Sequence, residues 1–157
     1  RADTAIEMLT ELGAADIHPW NAQHSIAKWD DEKTQVKWQR IAREASKQSR
    51  RSWLPVVHDV VSTAGVCQLL AAAQTALVLH EAATSALADV PVPVRGDVVV
   101  VVGPEGGLSP GEVEQFAAAG ARIVRMGATV LRTSTAGAAA LAALASRTPA
   151  WGARMAP

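Results

Sequence analysis

Five consecutive valines, Val98 to Val102, run straight into Gly103-Pro104-Glu105-Gly106-Gly107-Leu108 and then Ser109-Pro110-Gly111-Glu112. The valine run predicts a strand, because β-branched side chains fit a pleated surface. Without polar alternation it reads as buried on both faces, the habit of a central strand in a parallel sheet. Ser109 and Glu112 are spaced as a capping box, with Pro110 at the first helical position. Strand, bare turn and helix start are thereby fixed within fifteen residues, which demands an α/β arrangement.

The pattern repeats around that unit. "TALVLH" (75–80) predicts a short strand, "EAATSALADVPVPVRG" a helical turn and then a proline-rich loop, and "ARIVRM" (121–126) another strand. Val113, Phe116 and Ala117 give the helix after Ser109 its buried face, and Gly120 ends it. "GATVLRTS" is a loop, and "TAGAAALAALASR" a final helix of small residues and leucine, apolar enough all round to be buried or to form a subunit interface. In the first half, Ala2, Ala5, Ile6, Leu9 and Leu12 mark a helix stopped at Gly13. "ADIHP" is a short strand, and "NAQHSIAKW" is ambiguous. Residues 31–49 form a helix with Trp38, Ile41, Ala42 and Ala45 as its apolar stripe. "WLPVVHDVV" is extended and enters a helix near Ser62 to Ala73.

The expected fold is a single α/β domain over residues 1–157, a mainly parallel sheet with helices on both faces. Ligands in such sheets sit outside the carboxyl ends of the strands. Three loops leave those ends: His80-Glu81, Gly103 to Leu108, and Met126 to Thr133.

The glycine turn spells neither the dinucleotide fingerprint nor the phosphate loop. It holds no lysine, and Glu105 repels a polyphosphate, so a neutral or cationic ligand suits it better. Taken alone, it serves equally well as a tight connection with glycines for geometry. Lys and Arg number 15 against 15 Asp and Glu, so overall charge does not point to nucleic acid. No stretch suits a membrane span, and there is no secretory leader. The one cysteine, Cys67, excludes an internal disulfide framework and fits a reducing, cytoplasmic setting. The four histidines show no metal-ligand spacing, so no metal is expected. The chain opens directly in a helical pattern and reads as a fragment of a longer protein.

"GPEGGLSPGE" followed by "MGATVLRTSTA" resembles the RsmE family of ribosomal RNA small-subunit methyltransferases, in the SPOUT superfamily. "ELGAADIHP" (11–19), "EASKQSRR" (44–51) and "ALVLHEAA" (76–83) match the family's earlier stretches in the same order. The resemblance covers essentially the whole chain. It implies a SPOUT-type trefoil knot within about residues 75–150, knots being rare exceptions among folds. It also implies an S-adenosyl-L-methionine cofactor, a homodimer, and methylation of uridine N3 in the 16S ribosomal RNA of the small subunit. The family's N-terminal PUA-like RNA-binding barrel is absent from this chain, which then reads as the catalytic domain alone. The family's usual Glu in LRTETA is Ser134 here, and Leu108 stands for a common Phe.

On that basis Leu79, His80, Gly103, Gly106, Gly107, Met126, Gly127 and Leu131 are assigned to the cofactor. Glu105 either accepts the N3 proton, orients a ligand group, or caps backbone N–H groups of its own turn. Arg132 either bonds the uracil oxygens as charge builds, contacts a phosphate, or forms a salt bridge. Lys37, Arg40, Lys47 and Arg51 fall on one face of the helix at 31–49, if the helix continues that far. The match at "QSRR" assigns Lys47, Gln48, Arg50 and Arg51 to RNA. The other readings are an RNA methyltransferase with a different target or a ribose 2′-hydroxyl acceptor, and a non-catalytic RNA- or ribosome-binding module.

Overall fold

The computed structural model describes residues 2–25 and 31–151. The ambiguous segment around 26–29 falls outside the described residues. The helices are α1 (Ala2–Glu11), α2 (Asp31–Gln48), α3 (Thr63–Ala72), α4 (Pro110–Ala118) and α5 (Thr133–Ala145). The strands are β1 (Asp16–Ile17), β2 (Val56–Val57), β3 (Thr75–Leu79), β4 (Ser85–Ala86), β5 (Val98–Val101) and β6 (Arg122–Arg125). None of the described helices is long and apolar enough to cross a membrane.

Every strand pairing is parallel. Four strands form one sheet in the order β4-β6-β3-β5, and β1 pairs with β2 in a separate two-stranded sheet. β3 and β6 are therefore the inner strands, and the register of β3 sets Leu77 against both Val100 and Arg122. Alternation along β3 divides the core. Ala76 and Val78 face one way, packing with Val66 and Leu70 of α3 and Phe116 of α4. Leu77 faces the other way, with Val124, Leu87, and Ala140 and Leu144 of α5. Leu77, Val78, Phe116 and Val124 are all completely buried. Helices thus cover both faces of the sheet, as the sequence predicts.

The valine run corrects one expectation. Val98 and Val100 pack on the α5 side and Val99 and Val101 on the α3–α4 side, so both faces are used. β5 is nevertheless an edge strand of the described sheet, not a central one. A strand's apolar faces record the layers above and below it, and leave open what lies beside it. Two smaller departures accompany it. Ser85–Ala86 adds a two-residue strand beside β6 within a segment read as a turn and loop. Ala117 is exposed, and its expected place in the buried face of α4 is taken by Glu112.

In the first half, Ile6 of α1, Ile17 of β1, Ala42 of α2 and Val57 of β2 make a smaller core, with Trp38 and Ile41 packed against it. α1 then lies against α5, which joins this unit to the larger sheet. α2 runs out through a tight C-terminal turn. Arg50 takes a left-handed conformation, φ 54°, and the Arg51 and Arg50 N–H groups bond the carbonyls of Ser46 and Lys47. This is the Schellman arrangement, with arginine where glycine is usual.

Candidate active site

The three loops that leave the carboxyl ends of β3, β5 and β6 converge on one pocket of about 430 Å³. That volume lies in the range of small-molecule sites, about 300–1,000 Å³. All eight residues assigned to the cofactor line it: Leu79, His80, Gly103, Gly106, Gly107, Met126, Gly127 and Leu131. Glu105 and Arg132 line it too, as does Ser134. Sequence positions more than fifty residues apart are brought together because the strands are parallel and adjacent, so their loops emerge side by side.

The glycine loop is held from several sides. Gly107 N–H bonds the Pro104 carbonyl at 2.9 Å, and Gly107 sits at φ +75°, a conformation that favours glycine. The Leu108 side chain folds back beneath Gly103 and packs into the core. Gly106 lies against the backbone of His24: a Cβ on it would come within 2.8 Å of the His24 carbonyl oxygen. No real Cβ tolerates that approach to a backbone atom, so the bare backbone here is a packing requirement.

The acid that fixes this loop is Glu112, not Glu105. Glu112 is only 4 % exposed. Its carboxylate accepts from Ser109 N–H at 2.8 Å and from Ser109 Oγ at 3.0 Å, and Ser109 Oγ in turn accepts from Glu112 N–H. The capping box expected from sequence is therefore formed. The second carboxylate oxygen accepts from Gln23 N–H at 2.7 Å, tying the segment before α2 to the exit of the glycine loop. Burial pushes the Glu112 pKa up, but the bonds from Gln23 and Ser109 outweigh it and hold the group below its ordinary value. The neighbouring segment is anchored by Trp20, whose ring meets Phe116 edge-on at 5.3 Å and whose Nε1 donates to Thr63 Oγ1 at 3.3 Å. Glu105 is exposed at the pocket, and among the described residues its carboxylate has no hydrogen-bond or ion-pair partner. Its expected capping of the turn's own N–H groups is not what the structure shows.

The opposite wall, Met126 to Arg132, is built differently. Gly127 to Val130 are exposed, and Val130 is 77 % so. Thr133 Oγ1 donates to the Gly103 carbonyl at 3.0 Å and links the two walls at the base. Arg132 is the N-cap of α5, its carbonyl accepting from Thr135 and Ala136 at 2.8 Å. Its guanidinium is exposed at the pocket with no partner among the described residues, so the salt-bridge reading does not apply. His80 Nδ1 accepts from Ala82 N–H at 3.1 Å, which turns the first loop. The pocket therefore offers apolar side chains, backbone groups, two carboxylates at Glu81 and Glu105 that have no partner among the described residues, and two arginines, Arg125 and Arg132.

The basic face expected on α2 is largely spoken for. Lys37 pairs with Asp3 at 2.5 Å and Lys47 with Glu44 at 3.1 Å. The Arg51 guanidinium reaches across to the carbonyls of Thr10 and Ala14, with the Ala14 bond at 3.1 Å, and so ties down the end of α1. Burial lowers its pKa. It also lies over the ring of Trp53, 5.1 Å from the centroid. Arg51 is thus a strut between α1 and α2. Arg50 and Gln48 remain exposed, with no side-chain partner among the described residues.

The structure also brings two distant histidines together. His18 and His58, forty positions apart, stack with ring centroids 3.9 Å apart, and His58 Nε2 lies 2.6 Å from Asp16 Oδ1. The sequence signal was available only through the β1–β2 register, which sets the two histidines opposite each other.

Comparison with known proteins identifies the family. The RNA methyltransferase domain family matches residues 1–145. The chain is 42 % identical, over 96 % of its length, to the ribosomal RNA small subunit methyltransferase E of Mycobacterium bovis. It is 35 % identical, over 91 %, to that of Bacillus subtilis. It spans about 60 % of the length of each of these relatives. Among solved structures, a putative methyltransferase of Legionella pneumophila in complex with bound cofactor SAM superposes with a TM-score of 0.88 at 29 % identity, covering 94 % of this chain and 61 % of that one. The small subunit methyltransferase E of Neisseria gonorrhoeae bound to S-adenosyl methionine gives 0.82 at 30 %, covering 92 % and 60 %. The resemblance read from the motifs is borne out by relatives of that name, and the chain belongs to the RNA methyltransferase domain family.

Proposed function

We propose that this domain binds S-adenosyl-L-methionine in the three-loop pocket and methylates N3 of a uridine in the 16S ribosomal RNA of the small subunit. One observation carries the reading: the loops of three adjacent parallel strands close on one pocket, in a chain similar to structures with that cofactor bound. The carboxylates of Glu81 and Glu105 offset the guanidinium groups of Arg125 and Arg132, so the lining carries no excess of positive charge to draw a polyphosphate.

The residues present fit such a ligand. Leu79, Met126 and Leu131 offer an apolar seat for a base, and the bare loop at Gly103, Gly106 and Gly107 lets backbone groups reach it. When bound, the cofactor supplies an electrophilic methyl group on a sulfonium centre. The chain's own task is to hold the uracil ring in line and to manage its charge. Alignment of bound partners contributes about 7 kcal/mol or more in the best intramolecular cases. Arg132, free and facing the pocket, donates to the uracil oxygens as negative charge builds on the ring. Glu105, also free, takes the N3 proton. Gln48 and Arg50, exposed at the end of α2, meet the RNA backbone. A homodimer, a trefoil knot within about 75–150 and a cytoplasmic setting belong to the same reading.

The test is methyl transfer to small-subunit particles from a strain that lacks the activity, followed by mass spectrometry of the nucleosides. The chain is assayed alone and joined to the remaining segment of the Mycobacterium bovis relative. The expected product is 3-methyluridine. A ribose-methylated nucleoside, or no product while the cofactor is bound, overturns the reading.

A further inference from the structure

A second cluster lies outside the pocket, on the two-stranded sheet. Residues alternate across a strand, so Asp16 and His18 share the face opposite buried Ile17, and His58 shares the face opposite buried Val57. The parallel register pairs Asp16 with Val56 and Ile17 with Val57, and the His58 N–H bonds the Ile17 carbonyl at 3.0 Å. One step further along, His18 and His58 stand opposite each other, with Asp16 two residues back on the same face. One ligand atom from each of the three lies within 4.8 Å of the others.

We propose that Asp16, His18 and His58 form a divalent transition-metal site of the zinc class, clipping the end of β1 to the end of β2. The donor set suits it: imidazole nitrogens favour zinc, copper and nickel over magnesium or calcium, and a carboxylate completes a three-ligand site open to water. The arrangement in the structure is the metal-free one. His58 Nε2 and Asp16 Oδ1 share a hydrogen bond of 2.6 Å, and the ion takes the place of the proton between them. The two rings stack at 3.9 Å with 9° between their planes. Lone pairs on nitrogen lie in the ring plane, so one imidazole swings about its side-chain torsion to converge on the ion. Both rings are half-exposed, which leaves room for that swing. The site joins the α1–β1 unit to the α2–β2 unit, and binding stabilises the folded chain by mass action. It is independent of the methyl-transfer reading.

The experiment is zinc titration of the chelator-treated chain, by calorimetry and by thermal unfolding, on the wild type and on His18→Ala, His58→Ala and Asp16→Asn. The wild type takes up one ion and its Tm rises saturably. Either histidine variant loses both effects, while Asp16→Asn, which removes a direct ligand, raises the dissociation constant by at least about 100-fold, the upper end of what loss of an outer-shell partner costs. The variants lie on an exposed face, and their metal-free Tm reports whether each is folded. Paramagnetic broadening by nickel of the amide signals of Ile17 and Val57 gives a second, local readout. No uptake at millimolar zinc, equal uptake by wild type and His58→Ala, or broadening elsewhere overturns the proposal.

Discussion

The two walls of the pocket are made of similar residues and held in opposite ways. The Gly103–Leu108 wall is braced by a buried carboxylate, a capping box, a core leucine and the backbone of His24. The Met126–Arg132 wall is exposed along Gly127 to Val130, and is linked to the first by Thr133 at its base. A wall fixed by tertiary contacts provides a preorganised seat. A wall without them is the element that adjusts to a ligand, since local opening follows the density of buried contacts.

That contrast breaks most visibly at Gly106. Gly106→Val drives its Cβ into the His24 backbone, and overpacking against a fixed group costs about 1–3 kcal/mol. Cofactor affinity is expected to fall by at least about 100-fold, roughly 2.7 kcal/mol, while far-ultraviolet circular dichroism stays that of a folded sheet. Unchanged affinity means the brace is not where the ligand sits.

Glu112→Ala comes next. It leaves the buried N–H group of Ser109 and the part-buried one of Gln23 without their acceptor, at about 1–3 kcal/mol for such a loss. Thermal unfolding shows the fall, whereas Glu105→Ala, with no partner to lose, stays within about 0.5 kcal/mol of the wild type. Equal effects of the two substitutions remove the distinction between the acids. Acid titration sharpens it. The folded pKa of Glu112 lies below the unfolded one, so its stabilisation is fully present above the unfolded value and is lost as pH falls through the folded value. Glu112→Gln flattens that acid limb in a Tm-against-pH series; a limb identical to the wild type contradicts the assignment.

The smallest effect is expected on the other wall. Nothing lies within 4 Å of a Cβ added to Gly127, and its φ is not in the left-handed region. Gly127→Ala is expected to stabilise the chain by about 0.4–1 kcal/mol through the unfolded state. A loss of more than about 1 kcal/mol in denaturant unfolding shows that this wall is braced after all. Between these lies Arg132→Ala, expected to leave cofactor affinity within about twofold and to reduce methyl transfer by about 100- to 1,000-fold, the scale of removing one donor at a developing charge. Single-turnover assays separate the two.

What could be read in advance follows the range of each interaction. The capping box at Ser109 and Glu112 spans four residues and is legible in full. The pocket's membership was legible because parallel strands oblige their loops to share one end. The bond from Gln23 to Glu112 spans 89 positions and left no local trace, so the loop's fixing acid was sought at Glu105 instead. Arg51 looked like part of a basic face because helical spacing says nothing about a guanidinium that turns back to Thr10 and Ala14. The edge position of β5 and the meeting of His18 with His58 depend on strand order and register, which no window of sequence contains.

The proposed reaction requires the three-loop pocket to hold S-adenosyl-L-methionine against its braced wall. Isothermal titration of the wild type and Gly106→Val with that cofactor tests it most directly. One site per chain in the wild type, with heat of binding lost in the variant, is the predicted result. No binding by the wild type at millimolar cofactor, or equal affinity in both proteins, contradicts it.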